Sequence, residues 1–408
     1  MAFTTFTLPC GLRVLHQDSP TQVAYCGFAV NCGTRDELPT ESGMAHFVEH
    51  LLFKGTEHRK AWHILNRMES VGGDLNAFTN KENTVIYASF MAEHFQRAAE
   101  LLTDIVFCST FPQKEMDKEV EVVCDEIESY QDEPSELIWD DWEDLVFHGH
   151  ELGRNILGDP QALRSYRSQD VLRFHRRFYQ PQNMVFFIRG NVPVEKVRTT
   201  LESLTSGMNV IPDWTRPVRS PLPDYMPQTL TQHRDTHQAH VMLGTRSYPA
   251  GNPKRTCLYL LNNILGGPGM NARLNVSLRE RRGLVYNVES NSQAYTDTGH
   301  FSIYFGCDIE DVPTCLKLCH EELDRLVQKP LTSTQLHAAL KQIKGQIGVS
   351  CDNFEKTILD LALEFLHYNT VETPQELYAR LDTLTPERLL ETAQELFGRE
   401  HLSLLEYV

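Results

Sequence analysis

Short runs of alternating apolar and polar residues open the chain, and longer stretches with a three-to-four-residue repeat follow. Residues 3–33 alternate, turn at Pro9-Cys10-Gly11, and predict strands at Leu12–Leu15 and Val23–Val30. Helical spacing follows at Gly43–Phe53 and Ala61–Val71, then a strand at Asn83–Phe90 and helices at Ala92–Phe107 and Gln113–Tyr130. The same order returns later. A strand at His240–Thr245 precedes helices at Thr256–Leu265 and Met270–Arg282, strands at Leu284–Ser292 and Gly299–Asp308, and helices at Val312–Gln328 and Ser333–Ser350. An offset of 220 lays Gln335-Leu336 on Glu115-Met116 and aligns the two long helices. Between the halves stand Pro212, Pro217, Pro221, Pro223 and Pro227, the composition of a semi-rigid connection. The pattern predicts an α+β chain of two related domains, 1–212 and 230–408, joined by a proline-rich linker at 213–229. Each domain is expected to be a sheet with an antiparallel component, covered by helices.

Composition narrows the function classes. The 408 residues carry 38 Lys and Arg against 55 Asp and Glu, a formal charge of −17. That excludes a surface built for nucleic acid, which needs clustered cations. Apolar residues at 41% exclude global disorder. A mean hydropathy of −0.36 and the lack of any 18-residue apolar run predict no membrane span. The first ten residues lack the basic and apolar regions of a signal peptide and the arginines of a transit peptide, which fits a cytoplasmic protein or an already trimmed one. Ten scattered cysteines without a C-x-x-C pair fit a reducing compartment. Cys315 and Cys319, beside His320, have helical spacing for a metal, but they fall on the leucine-rich side of an amphipathic helix.

Candidate chemistry centres on His46-Phe47-Val48-Glu49-His50. On a helix His46 and His50 lie one turn apart and about 40° apart around the axis, so both imidazoles can face one ion. Glu49 falls within the same arc. Imidazole and carboxylate are ligands that Zn²⁺ takes, and a catalytic site needs three of them plus an open position. The bland alternatives are a polar surface face or histidines satisfied in a core. A third ligand must come from elsewhere, and the helix at 113–130 offers Glu119 and, seven residues on, Glu126. Both project from one face, so Glu126 can complete the coordination while Glu119 supports a ligand imidazole from behind. A solvated acidic face is the alternative.

His46–Thr56 (HFVEHLLFKGT), with Glu126 downstream, resembles the inverted zincins (H-x-x-E-H) of the pitrilysin, insulysin and mitochondrial processing peptidase family, M16. The resemblance runs over essentially the whole chain. Gly72-Gly73-Asp74-Leu75-Asn76-Ala77-Phe78-Thr79, with Glu82 and Thr84, is similar to the family's G-G-x-x-N-A-x-T segment. Gly149-His150-Glu151-Leu152-Gly153 and Ile156-Leu157-Gly158 resemble G-H-P-L-G…I-x-G, with Glu151 replacing the usual proline. Leu278-Arg279-Glu280 through Gly283-Leu284-Val285-Tyr286 is similar to the family's arginine–tyrosine element.

The resemblance implies two homologous domains of the LuxS and processing-peptidase type of metallohydrolase fold, each mostly antiparallel. It implies a zinc endopeptidase with His46, His50 and Glu126 as ligands and Glu49 as the base that activates the zinc-bound water. Glu119 stands behind His50, and Arg279 and Tyr286 hold the substrate carbonyl and oxyanion. Asn76, Ala77 and Phe78 form the edge strand to which peptide adds. Seventy-five residues separate His50 from Glu126, about one fewer than is usual in the family, which keeps Asp125 and Glu128 as alternatives.

The second half shows no matching ligands. Leu258–Asn262 stands near the position of the histidines, Gln346 opposite Glu126 and Ala339 opposite Glu119, so one zinc per chain is expected. His150, His233, His237 and His240 lack partners at ligand spacing, and Gly266-Gly267-Pro268-Gly269 lacks the Lys-Ser/Thr of a phosphate loop. Family members enclose substrate between two halves of two domains each, which implies a partner: a homodimer, or a heterodimer with a zinc-less homologue. The competing expectation is a non-catalytic assembly subunit, against which the intact His46, Glu49, His50 and Glu126 stand. Carboxylates lining such a chamber would favour basic peptides.

Overall fold

The computed structural model describes residues 3–212, 214–234 and 236–408. Asp213, with which the expected linker begins, and Met1 and Ala2 lie outside the described residues. Packing divides the chain into two compact units. Unit 1 comprises Met1–Glu128, Arg154–Ser220 and Cys351–Glu372; unit 2 comprises Ser129–Gly153, Pro221–Ser350 and Thr373–Val408.

Unit 1 is built on strands β1 (Phe3–Thr7), β2 (Arg13–Asp18), β3 (Val23–Val30), β4 (Asp74–Thr79), β5 (Thr84–Met91) and β6 (Met184–Gly190). They lie in the order β1-β2-β6-β3-β5-β4, antiparallel except for β2 beside β6. Unit 2 carries β7 (Thr229–Gln232), β8 (Ala239–Ser247), β9 (Val285–Ala294), β10 (Gly299–Cys307) and β11 (Ser403–Tyr407) in the order β7-β11-β8-β10-β9. There β7 beside β11 is the parallel pair. Without β1, the two sheets have the same order strand for strand, β2 through β6 answering β7 through β11. The duplication expected from the 220-residue offset is therefore present in the topology.

The central strands of unit 1 alternate between two buried faces. Val14, Phe28, Ile86 and Phe186 face one core, and Leu15, Ala29, Val85 and Phe187 face the other. Burial on both faces makes β6 apolar without interruption through Val185-Phe186-Phe187-Ile188, which hides it from a search for alternation. The first core is filled by helices α1 (Met44–Leu52), α2 (Ala61–Glu69), α3 (Phe95–Phe107) and α4 (Gln113–Gln131), among others.

The second face is covered from far along the chain. Helix Phe354–Tyr368 lays Ile358, Ala362, Phe365 and Leu366, spaced as one helical stripe, on it. Its last turn is held by Arg13 of β2, which donates to the carbonyls of Phe365 (3.0 Å) and Leu366 (3.1 Å). Unit 2 receives the reciprocal element. Helix α5 (Pro134–Val146) puts Ile138, Trp142, Leu145 and Val146 against Met242, Tyr304, Leu405 and Tyr407, and Trp142 Nε1 donates to His300 Nδ1 at 3.2 Å. The packing units thus exchange a helix, where the sequence suggested one cut near 213–229. Truncating Phe365 to Ala empties a site that is 5% exposed and is expected to destabilise unit 1 by about 3–5 kcal/mol, read as a lower urea midpoint.

The described part of the proline-rich connection belongs with unit 1 up to Ser220 and is pinned there by charge. Arg216 pairs with Asp36 at 2.6 Å, and Arg219 with Asp36 at 3.0 Å and Glu82 at 2.5 Å. Helix Met270–Arg282 is shorter than expected: regular structure includes a wide π-type turn at Asn275–Glu280. Among the described residues, no helix is long and apolar enough to cross a membrane.

Candidate active site

Helix α1 is buried nearly all round, with Met44, Ala45, Phe47, Val48, Leu51 and Leu52 in the core. Its start is fixed by backbone. Gly43 adopts φ +77°, and a Cβ there would sit 2.6 Å from the Leu157 carbonyl oxygen; at Gly158, a Cβ would meet the Gly43 Cα at 2.4 Å. Only two glycines permit that approach, which gives the I-x-G segment a physical reason. The Glu37 carboxylate accepts the backbone N–H groups of Gly43 (3.1 Å) and Ala45 (2.8 Å), satisfying donors that a helix N-terminus leaves open.

His46, Glu49 and His50 form the polar side of this helix. Helix α4 faces them with Glu119 and Glu126, one buried and one half-buried. His50 Nε2 lies 3.6 Å and His46 Nε2 3.9 Å from Glu126 Oε2, and one ligand atom from each of the three residues lies within 4.8 Å of the others. Three ligands about 2.0–2.1 Å from a common ion in tetrahedral geometry are about 3.4 Å apart, so the donor set fits Zn²⁺ with little adjustment. Asp125 and Glu128 are not in this group, and neither is Glu49. His46 makes no hydrogen bond within the protein among the described residues, and its Nδ1 is buried without a partner. It is not a histidine satisfied by the core.

The protonation states follow from the surroundings. Burial, with His50 close by, pushes His46 down to about 3, leaving the neutral imidazole a metal needs. Burial would lower His50 as well, but its hydrogen bond to Glu119 and the carboxylates around it win, and it is raised. His50 Nδ1 donates to Glu119 Oε1 at 3.0 Å, so in the neutral imidazole Nε2 is the nitrogen left for a metal. Burial acts to raise Glu119, yet His50 and Lys54, whose Nζ is 2.6 Å from Oε2, hold it below the usual carboxylate range. Burial raises Glu49 despite the Thr79 hydroxyl, which donates to Oε2 at 2.5 Å, and nearby His50.

Asn76, Ala77 and Phe78 lie on β4, the edge strand of the first sheet, paired on one side with β5. Ala77 packs on the core that holds α1, Phe78 turns to the other face beside Tyr87, and Asn76 Nδ2 donates to Asp74 at 3.2 Å. Arg279 and Tyr286 belong to unit 2. Both are exposed, Tyr286 to 83%, with the guanidinium carbon 5.7 Å from the ring centre. Neither is packed as a fold-supporting residue would be.

Sequence reasoning missed Lys54 and Thr79. Lys54 is four residues beyond His50, a helical spacing that was available as a signal. Thr79 closes the Gly72–Thr79 segment, but its partner Glu49 is 30 residues away. A second group, His58, Asp104 and Cys108, also converges within 4.8 Å. Asp104 there already accepts from Thr56, His58 and Arg59, and the guanidinium at 2.6 Å supplies the positive charge an ion would bring. Cys315, Cys319 and His320 form no such group among the described residues.

The support behind His50 has a measurable consequence. Glu119→Gln keeps the shape, loses the charge that pairs with Lys54, and is expected to weaken zinc binding about 10–100-fold in competition with a chromophoric chelator.

Comparison with known proteins shows what the chain as a whole is similar to. The family model for insulinase, peptidase family M16, matches residues 13–160, and that for the M16 inactive domain matches residues 165–343. The inactive-domain match does not include His46, Glu49, His50 or Glu126. An uncharacterised zinc protease of Streptomyces coelicolor is 30% identical over 402 residues, 96% of this chain and 87% of that protein. One of Bacillus subtilis is 30% identical over 403 residues, 97% and 96% of the two chains. Among solved structures, a protease from Helicobacter pylori gives a TM-score of 0.93 at 20% identity, covering 100% of this chain and 99% of that one.

Proposed function

From the premise that this chain belongs to peptidase family M16, we propose that it is a zinc-dependent endopeptidase acting on extended peptides or unfolded protein segments. The observation that carries the reading is the convergence of His46, His50 and Glu126 with Glu49 beside them and outside the ligand set. A non-catalytic assembly subunit would have no need of that arrangement.

In this reading His46 and His50 offer neutral Nε2 atoms and Glu126 a carboxylate oxygen to one zinc ion per chain. The bound ion would supply a Lewis acid that polarises the scissile carbonyl and makes the attacking water more acidic. Glu49 takes the proton of that water as its oxygen bonds to the carbonyl carbon. The same carboxyl then gives the proton to the amine nitrogen as the C–N bond breaks. Glu119 holds His50 in the tautomer that leaves Nε2 free, and Lys54 keeps Glu119 charged. Arg279 and Tyr286 donate hydrogen bonds to the carbonyl oxygen as it gains charge. Peptide enters as an added strand on the open edge of β4, with Asn76, Ala77 and Phe78 facing its backbone. A second chain closes the chamber, here a second copy of this one, since a single chain carries both the ligand set and the Arg279/Tyr286 element. Sedimentation at twice the chain mass of 46.8 kDa is the expected result; a heterodimer with a zinc-less relative is the other arrangement.

The substrate class is tested by offering the zinc-loaded protein an internally quenched extended peptide beside a single amino-acid amide. Turnover of the peptide alone supports the proposal. Turnover of the amide alone contradicts it.

A further inference from the structure

Glu49 has two carboxylate oxygens, and the structure treats them differently. Oε2 accepts the Thr79 hydroxyl at 2.5 Å. Oε1 has no protein partner among the described residues. We infer that Thr79 is the residue that positions the general base: it holds Oε2 so that Oε1 alone is presented to the attacking water. The inference rests on the reading of Glu49 as that base.

The anchor is stiff for identifiable reasons. Thr79 ends β4 and is paired in register with Thr84, the first residue of β5. Asn80 donates its backbone N–H to the Asn83 carbonyl at 2.8 Å and closes the hairpin between them. The threonine side chain is β-branched and has little rotamer freedom on a strand, and Thr79 is 8% exposed. Glu49, by contrast, turns about three side-chain bonds, so a fixed donor decides where its carboxylate rests.

The direction of the hydrogen bond is set by the neighbours. Thr79 Oγ1 lies 3.3 Å from Thr84 Oγ1, and each hydroxyl has one proton. Thr84 gives its proton to the Cys32 carbonyl at 3.0 Å. The proton of Thr79 then goes to the nearer and charged acceptor, Glu49. A threonine serving only the hairpin would instead bond to Thr84 or to backbone.

Two substitutions separate positioning from fold support. Thr79→Val keeps the branched shape and removes the donor, whereas Thr79→Ser keeps the donor and removes a methyl. With both proteins zinc-loaded, the Val variant is expected to lose about tenfold to a hundredfold in kcat on an internally quenched peptide, with KM within about twofold, and the Ser variant to recover most of the loss. Crystal structures of the same proteins are expected to show Glu49 in one conformer in the wild type and Ser variant, and turned from Thr79 in the Val variant. Wild-type kcat in Thr79→Val, an unmoved Glu49, or no recovery in Thr79→Ser overturns the inference. A zinc-loaded wild type that turns over no peptide overturns the reading of function instead, and the Glu49 conformers then decide the role of Thr79.

Discussion

Glu49→Gln is expected to retain one zinc per chain and to lose peptide turnover by about a hundredfold to ten-thousandfold. The substitution keeps the length and shape of the side chain, so the packing of α1 is undisturbed. It removes the ability to take a proton, and the hydrogen bond from Thr79 passes to an amide oxygen. Since Glu49 lies outside the group formed by His46, His50 and Glu126, metal content is expected to survive its loss. Elemental analysis of the purified variant beside a peptide assay checks both halves. Full activity removes Glu49 from its role, and loss of zinc makes it a ligand.

Glu126→Ala is the complementary case. Removing one of the three proposed ligands is expected to weaken zinc binding by more than about a hundredfold, beyond the range seen when only a supporting hydrogen bond is lost. His46 and His50 stay in place because α1 is anchored by its buried apolar face rather than by Glu126, whose side chain is 34% exposed. Asp125→Ala and Glu128→Ala are the controls. Both residues lie on the same turn of α4 but outside the group, and both variants are expected to bind zinc as the wild type does. Normal affinity in Glu126→Ala would place the third ligand elsewhere and take the present mechanism with it.

Much of this site was legible along the chain because helices obey a simple rule. The H-x-x-E-H spacing places both imidazoles on one face, and a seven-residue spacing aligns Glu119 with Glu126, whatever the rest of the fold does. Thr79 was not legible in that way, since its hydroxyl meets Glu49 only after β4 has been laid beside the end of α1. In the fold, the 220-residue offset announced the duplication that the strand orders display. Strand β6 escaped because both of its faces are buried and no alternation survives in Val185–Ile188. The exchange of α5 and helix Phe354–Tyr368 escaped for a different reason. An amphipathic stripe such as Ile358, Ala362, Phe365 and Leu366 tells that one face is buried and says nothing of which sheet covers it. Pairings such as Arg13 with the end of that helix, more than 350 residues apart, appear only in three dimensions.

The group on α1 and α4 is proposed to make this chain a metal-dependent endopeptidase. The most direct test is digestion of a mixed peptide library by the wild-type protein, with zinc, with chelator, and with chelator followed by excess zinc, read by mass spectrometry. Cuts at internal peptide bonds are expected with zinc, none with chelator, and their return when zinc is restored. Peptides left intact by the zinc-loaded protein, or cut equally in chelator, would contradict it.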